Sequence, residues 1–239
     1  MFAVSGYVAE LWKCKTDANE IDIRVLKNGV NLSNFQKKLT DNERAALRAT
    51  LGINSNEKVL IYVGRIVPEK GVKELILAVE KIQREDIVLL MLGGAKFAKK
   101  TSTPYEQEID NLISEAKHKI IRTGYVDNKE VYKYQNIADI AIMPTTCEEA
   151  APLSTVESMT AGLPLIITNS GGMPEYVNRE CSIVVNKENG LVENLACAIN
   201  ELAEDDKRRK SMSDIARNEA IQYSIENTYK ELCRLLTES

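Results

Sequence analysis

Arg65 and Lys70 stand close together in the segment Gly64-Arg65-Ile66-Val67-Pro68-Glu69-Lys70-Gly71, which follows an apolar run and leads into a helical pattern. The guanidinium of Arg65 is a forked donor suited to phosphate oxygens, and the Lys70 ammonium is a mobile point charge. Gly64 lets backbone approach a ligand with no side chain in the way. Lys70 also lies at a helix start, where the macrodipole disfavours a cation by ~0.3–1 kcal/mol. A residue that breaks a local rule in a strand-end loop is a candidate for binding. Taken alone, the segment reads equally well as two solvated surface cations.

The second constellation is Glu149-Ala150-Ala151-Pro152-Leu153-Ser154-Thr155-Val156-Glu157. The helix expected over 153–161 is small and apolar, stops at Gly162, and has Glu157 as its one charge. Its neighbours one turn away (Leu153, Ser154, Thr160, Ala161) include no cation. A carboxylate on a buried helix needs partners or it is neutralised. Two vicinal hydroxyls of a ribose would supply two donors to its two oxygens; bonds to nearby backbone are the alternative. The N–H groups of Leu153, Ser154 and Thr155, at the helix start, are expected to be free and to form an anion site for a diphosphate. Ser170-Gly171-Gly172-Met173-Pro174-Glu175 reads either as a backbone cradle or as a tight turn. Neither G-x-G-x-x-G nor G-x-x-x-x-G-K-[ST] occurs, which removes the main support for nicotinamide and P-loop readings.

These segments need a scaffold, and the hydrophobic pattern supplies one. Val59–Val63, Ile87–Leu92, Ile120–Ile121, Ile140–Met143, Leu165–Ile167 and Ile183–Val185 read as buried strands, each separated from the next by a helical pattern. Six alternating units predict an α/β fold with a doubly wound, six-stranded parallel sheet. Ligands bind such sheets at the carboxyl ends of the strands, so the loops after Val63, Gly124, Met143 and Thr168 should carry the chemistry. Thr40–Glu43 and Thr103–Glu106 are capping boxes, Asp127 opens another helix, and Ser224 caps the last. The first forty residues do not alternate: residues 1–12 suggest a helix, Ile21–Leu26 a strand, and Lys27-Asn28-Gly29-Val30 a turn.

The 239 residues are 44% hydrophobic and 28% charged with a formal net charge of −4, which is a soluble composition lacking the basic excess of nucleic-acid binders. No apolar run approaches the ~18 residues that span a bilayer, and residues 1–6 lack a signal-peptide pattern. A cytoplasmic protein is expected. The five cysteines include no C-x-x-C pair, so neither a disulfide framework nor a zinc site is expected. His118, the single histidine, lies between Lys117 and Lys119 and is expected to be solvated.

The motifs together resemble the C-terminal, donor-binding domain of GT-B retaining glycosyltransferases of family 4, the group 1 glycosyltransferases. The matching residues are Gly64-Arg65-x-x-Pro68-Glu69-Lys70-Gly71, Gly124-Tyr125-Val126, the Glu149–Glu157 pair, Ala161-Gly162-Leu163-Pro164 and Gly171-Gly172-x-Pro174-Glu175, in the family's order. Lys27-Asn28-Gly29-Val30 resembles the turn that closes the family's N-terminal domain, with Asn31 in place of its aspartate. Ala150-Ala151-Pro152 departs from the family's Pro-Phe-Gly and resembles some bacterial lipopolysaccharide and capsule glucosyltransferases.

The resemblance implies a Rossmann-like donor domain over 39–223, preceded by the end of an acceptor-binding domain and linker over 1–38 and followed by a crossover helix over 224–239. It implies that Arg65 and Lys70 hold the donor diphosphate as it leaves, and that Glu149 contacts hydroxyls of the transferred sugar. Glu157 would hold the ribose, Tyr125 and Val126 would lie against the base, and Gly64, Leu153, Ser154 and Thr155 would complete the donor site. It further implies a UDP-sugar donor and a polysaccharide or glycolipid acceptor, the enzyme working peripherally at the inner membrane face. Transfer is expected to retain the anomeric configuration, with neither metal nor cofactor. GT-B enzymes have two such domains, so this chain alone is expected to bind donor without transferring sugar. The alternative is a non-catalytic sugar-nucleotide-binding subunit beside a partner that carries the acceptor site. An epimerase or phosphorylase is weaker, since no site for a lysine-bound pyridoxal phosphate is evident.

Overall fold

Ile87–Leu92 is six apolar residues with no polar alternation, a pattern that a strand covered on both faces satisfies. The computed structural model describes residues 1–15, 22–94 and 103–237, and all six residues of that run are buried in it. The chain begins with β1 (Phe2–Ala3), α1 (Gly6–Lys15), β2 (Arg24–Val25) and α2 (Asp41–Thr50). The main sheet and its helices follow as β3 (Lys58–Val63), α3 (Val72–Glu80), β4 (Ile87–Leu92), α4 (Pro104–Glu115), β5 (Lys119–Gly124), α5 (Asn128–Gln135), β6 (Ile140–Met143), α6 (Leu153–Ala161), β7 (Leu165–Thr168) and β8 (Ser182–Val185). Helices α7 (Leu191–Glu204), α8 (Asp206–Ala220) and α9 (Ile225–Thr237) complete the chain.

The sheet order is β5-β4-β3-β6-β7-β8, and every neighbouring pair is parallel. The six expected strands are therefore all present, β5 being longer than its apolar core. Alternate residues feed two cores. Leu60, Leu89, Met91, Ile140 and Ile166 face α3, α4 and α7, whereas Val59, Ile61, Leu90, Ala141 and Ile167 face α5, α6 and α8. Each such aliphatic side chain contributes ~1.5–3 kcal/mol on full burial. Helix starts follow their caps: both capping boxes form, Asp127 accepts from Lys129 N–H, and Ser224 Oγ accepts from Asn227 N–H at 3.1 Å.

The described residues up to Val30 are fastened to the sheet body. The Glu175 carboxylate accepts from Gly6 N–H and Tyr7 N–H, each at 2.7 Å, and so caps α1 at its positive end. Tyr176 Oη donates to Val4 O at 2.6 Å and accepts from Asn28 N–H at 3.1 Å. Val30 N–H donates to Tyr223 O at 2.8 Å, joining the turn to the approach to α9. The glycine pair before Glu175 is thus part of a turn that aims this carboxylate. The strand expected from Ile21 to Leu26 is confined to Arg24–Val25, and Ile21 lies outside the described residues. His118 is not solvated as expected: its ring lies within 3.1 Å of Glu80 Oε1 and 2.9 Å of Arg84 O, because β5 starts beside the end of α3.

Glu175→Ala removes two bonds to a charged acceptor, each worth about 1.5–3 kcal/mol. Hydrogen exchange at Gly6 and Tyr7 will then accelerate at least about tenfold, while β3 and β4 keep their protection. Unchanged exchange at both amides would show that α1 is held by other contacts.

Candidate active site

The strand order reverses between β3 and β6, and this switch point opens a crevice at the carboxyl ends of the strands. Backbone closes its floor. Gly64 N–H donates to Leu92 O at 3.0 Å, and Gly93 N–H donates to Gly124 O at 2.8 Å. Gly93 has φ +135°, and a Cβ there would lie 1.9 Å from Gly64 O. The sequence marks Gly93-Gly94 as a strand stop; its second role, letting β3 and β4 end in contact, depends on tertiary approach.

Two cavities adjoin above this floor. One, of about 210 Å³, is lined by Gly64, Arg65, Tyr125, Val126, Asn128 and Glu157. The other, of about 310 Å³, is lined by Gly64, Lys70, Glu149, Leu153, Ser154 and Glu157 among others. Gly64 and Glu157 belong to both. The structure therefore gathers nine of the ten expected site residues into one continuous crevice.

Lys70 is less free than its position suggests, because its ammonium pairs with the Glu149 carboxylate and both side chains are largely buried. Two loops must meet for this. Gly71, in the left-handed region at φ +67°, lies so close to the loop after β6 that a Cβ would sit 1.9 Å from Pro144 O. Thr146 N–H donates to Glu69 O at 3.0 Å, tying the loops directly. Behind them, the buried hydroxyls of Thr168 and Ser170 donate to Thr145 O at 2.7 and 3.0 Å, and Gly172 N–H donates to Glu149 O at 2.7 Å. The segment after β7 thus braces Glu149.

Tyr62 braces the other loop from below. Its Oη donates to Arg65 O at 2.6 Å, and burial pushes its hydroxyl well above the usual range, so it remains a neutral donor. Sequence reasoning missed Tyr62, since a tyrosine in an apolar strand reads as core.

Thr155 departs from expectation. Its N–H donates to Pro152 O at 3.1 Å, and the residue lines neither cavity, whereas the N–H groups of Leu153 and Ser154 have no partner among the described residues. The early turn is tightened because Pro152 stands at the cap without a side-chain acceptor.

Among the described residues no cation pairs with Glu157; its partner is the Asn128 side chain, from the first turn of α5. Burial raises its carboxyl above the ordinary value, and the Asn128 hydrogen bond offsets only part of this. The folded protein therefore binds that proton more tightly than the unfolded chain does. The associated stability is full below the ordinary carboxyl value of 4.5 and is lost as pH rises through the raised folded value. Glu157→Gln should accordingly melt at a higher temperature than the parent at neutral pH, with the gap closing near about pH 4. A variant less stable than its parent at neutral pH would mean that Asn128 and the surrounding dipoles already satisfy the charge.

A doubly wound α/β body with a ligand crevice at its switch point is a class of many activities, which the comparisons narrow. Residues 43–219 match the model of the family described as glycosyl transferases group 1. The chain belongs to that family, whose fold here is the Rossmann-like arrangement of GT-B glycosyltransferases. A glycosyltransferase of Methanocaldococcus jannaschii described as uncharacterized is 26% identical over 216 residues, spanning 89% of this chain and 53% of that protein. The lipopolysaccharide 1,2-N-acetylglucosaminetransferase of Salmonella typhimurium is 28% identical over 158 residues, spanning 65% of this chain and 40% of its own length. The crystal structure of Anabaena HepE with UDP-glucose superposes with a TM-score of 0.86 at 21% identity, covering 100% of this chain and 63% of that one. The chain thus spans about half the length of the sequence relatives. Among the described residues no helix is long and apolar enough to cross a membrane.

Proposed function

We propose that the crevice binds a UDP-linked hexose and that this chain supplies the donor half of a retaining glycosyl transfer. The observation that carries the reading is the position of Glu157 between the two cavities. With the ribose on Glu157, the base enters the cavity of Tyr125 and Val126. The diphosphate and hexose then run toward Lys70 and Glu149, over the free N–H groups of Leu153 and Ser154. The linear order of a nucleotide sugar matches the order of the groups.

Arg65 and Lys70 then stabilise charge developing on the leaving diphosphate, the point at which electrostatic stabilisation has most leverage. Glu149 accepts hydroxyls of the hexose. No residue here is assigned to the acceptor, and the acceptor hydroxyl must be held ~3–3.5 Å from the anomeric carbon. By this reading the chain alone binds donor and turns over no sugar.

Calorimetric titration with UDP-, GDP- and ADP-hexoses, without added divalent metal, tests the proposal. UDP-hexose should bind most tightly. Absence of binding by every nucleotide sugar overturns it, and preference for another base corrects the donor. Transfer of radiolabelled hexose to glycolipid by this chain alone would overturn the division of labour.

A further inference from the structure

Most polar side chains around the cavity of Lys70 and Glu149 are already committed. The Lys70 ammonium pairs with Glu149, and the Tyr62 hydroxyl donates to Arg65 O at 2.6 Å. Ser154 is part-exposed and lies on the proposed path of the diphosphate. Thr145 is different. It lines this cavity and not the neighbouring one, it is 3% exposed, and its Oγ1 has no hydrogen-bond partner among the described residues. The hydroxyls of Thr155 and Ser158 are also unpaired, but they are sealed from solvent and line neither cavity. The Thr145 hydroxyl is not sealed; it opens on the cavity.

Its place is fixed from behind. Thr145 follows Pro144 just beyond the end of β6, and its carbonyl accepts from Thr168 Oγ1 at 2.7 Å and from Ser170 Oγ at 3.0 Å. A backbone pinned on that side presents its side chain in one direction, and a β-branched residue has few χ1 rotamers to choose from. The same segment after β7 also holds Glu149, through Gly172 N–H on Glu149 O at 2.7 Å. Thr145 and Glu149 are therefore set in a fixed relation by one brace. Met143 and Met173, both buried, line the same cavity. A single polar group held in a largely apolar wall is what orients a ligand.

A hydroxyl both donates and accepts, as a sugar hydroxyl does. A ligand that displaces water from Thr145 must bring a matching group or leave the hydroxyl unpaired.

We propose that Thr145 is a specificity-determining residue for the transferred sugar: its hydroxyl bonds one hydroxyl of the hexose, beside Glu149, and selects hexoses that carry this group over deoxy sugars. The assignment rests on the donor reading above. A site built to bond a hydroxyl rejects the analogue that lacks it, because the buried partner is then left alone.

Thr145→Val removes the hydroxyl and keeps the β-branched shape, whereas Thr145→Ser keeps the hydroxyl. Both are titrated calorimetrically with UDP and with UDP-glucose in metal-free buffer. Thr145→Val should bind UDP as the parent does and UDP-glucose at least about fivefold more weakly. Its melting temperature should be equal or higher, since no bond within the protein is lost. Thr145→Ser should restore UDP-glucose binding. Among the monodeoxy analogues of UDP-glucose, one should bind the parent more weakly than UDP-glucose does, and that penalty should vanish in Thr145→Val. Equal weakening of UDP and UDP-glucose would put the hydroxyl on the diphosphate and overturn the assignment. Unchanged UDP-glucose affinity, a deoxy penalty that survives for every analogue, or a parent that binds UDP but not UDP-glucose would overturn it too, each leaving the nucleotide site standing. A parent that binds neither compound overturns the donor reading itself, and this assignment with it.

Discussion

Arg65→Ala/Lys70→Ala will weaken UDP binding by about 10²–10⁴-fold, with calorimetry in metal-free buffer as the measurement. Under the proposed function each residue supplies hydrogen bonds to a charged group, worth ~1.5–3 kcal/mol apiece, and every 1.4 kcal/mol is about tenfold in affinity. The two losses will be unequal. Arg65 is exposed at the rim of its cavity, whereas Lys70 is held against Glu149. Removing Lys70 leaves the Glu149 carboxylate largely buried and unpaired, facing the space assigned to the diphosphate. Lys70→Ala should therefore cost more than Arg65→Ala, and adding Glu149→Gln to Lys70→Ala should recover part of the loss. Equal UDP affinity in the parent and the double variant would sink the assignment of this loop to phosphate.

The second large effect separates the two glutamates. Glu157→Gln replaces one acceptor oxygen with a donor at the proposed ribose position, so uridine and UDP should weaken together, by ~1.5–3 kcal/mol. Glu149→Gln should act differently. It releases Lys70 from its ion pair, so UDP should bind as well as before or more tightly. The intact UDP-hexose should still lose affinity, because the proposed partners of Glu149 are on the sugar. A parallel loss of UDP in both variants would show that the division of roles is wrong. Under the proposed function the ion pair would exchange on binding: the diphosphate takes Lys70, and the freed carboxylate becomes available to the hexose.

Much of this architecture is legible in the sequence because it is written locally. Ile87–Leu92 has too many consecutive apolar residues for anything but a buried element, and Thr40, Thr103, Asp127 and Ser224 carry their capping partners within a few residues. Glu157 stood out because its own helix offers it no partner. What escaped reading depends on segments meeting across the chain. Lys70 and Glu149 are 79 positions apart, and Glu175 reaches Gly6 across 169. Nothing near Asn128 in sequence announces that it will face Glu157. Thr155 failed for a local reason of another kind, since an early tight turn consumed a donor that a regular helix start would have left free.

The contact of Gly93 with Gly64 sets a limit on how this protein can change over generations. Any codon change that replaces Gly93 introduces at least a Cβ, which would lie 1.9 Å from a backbone oxygen that cannot swing aside. Gradual drift at that position is closed, because even the smallest substitution meets the same wall. Tyr125, 53% exposed on the rim of the same cavity, has no such barrier. Descendants that acquire a taste for a different ligand must therefore write the change into the walls of the crevice while inheriting its floor intact.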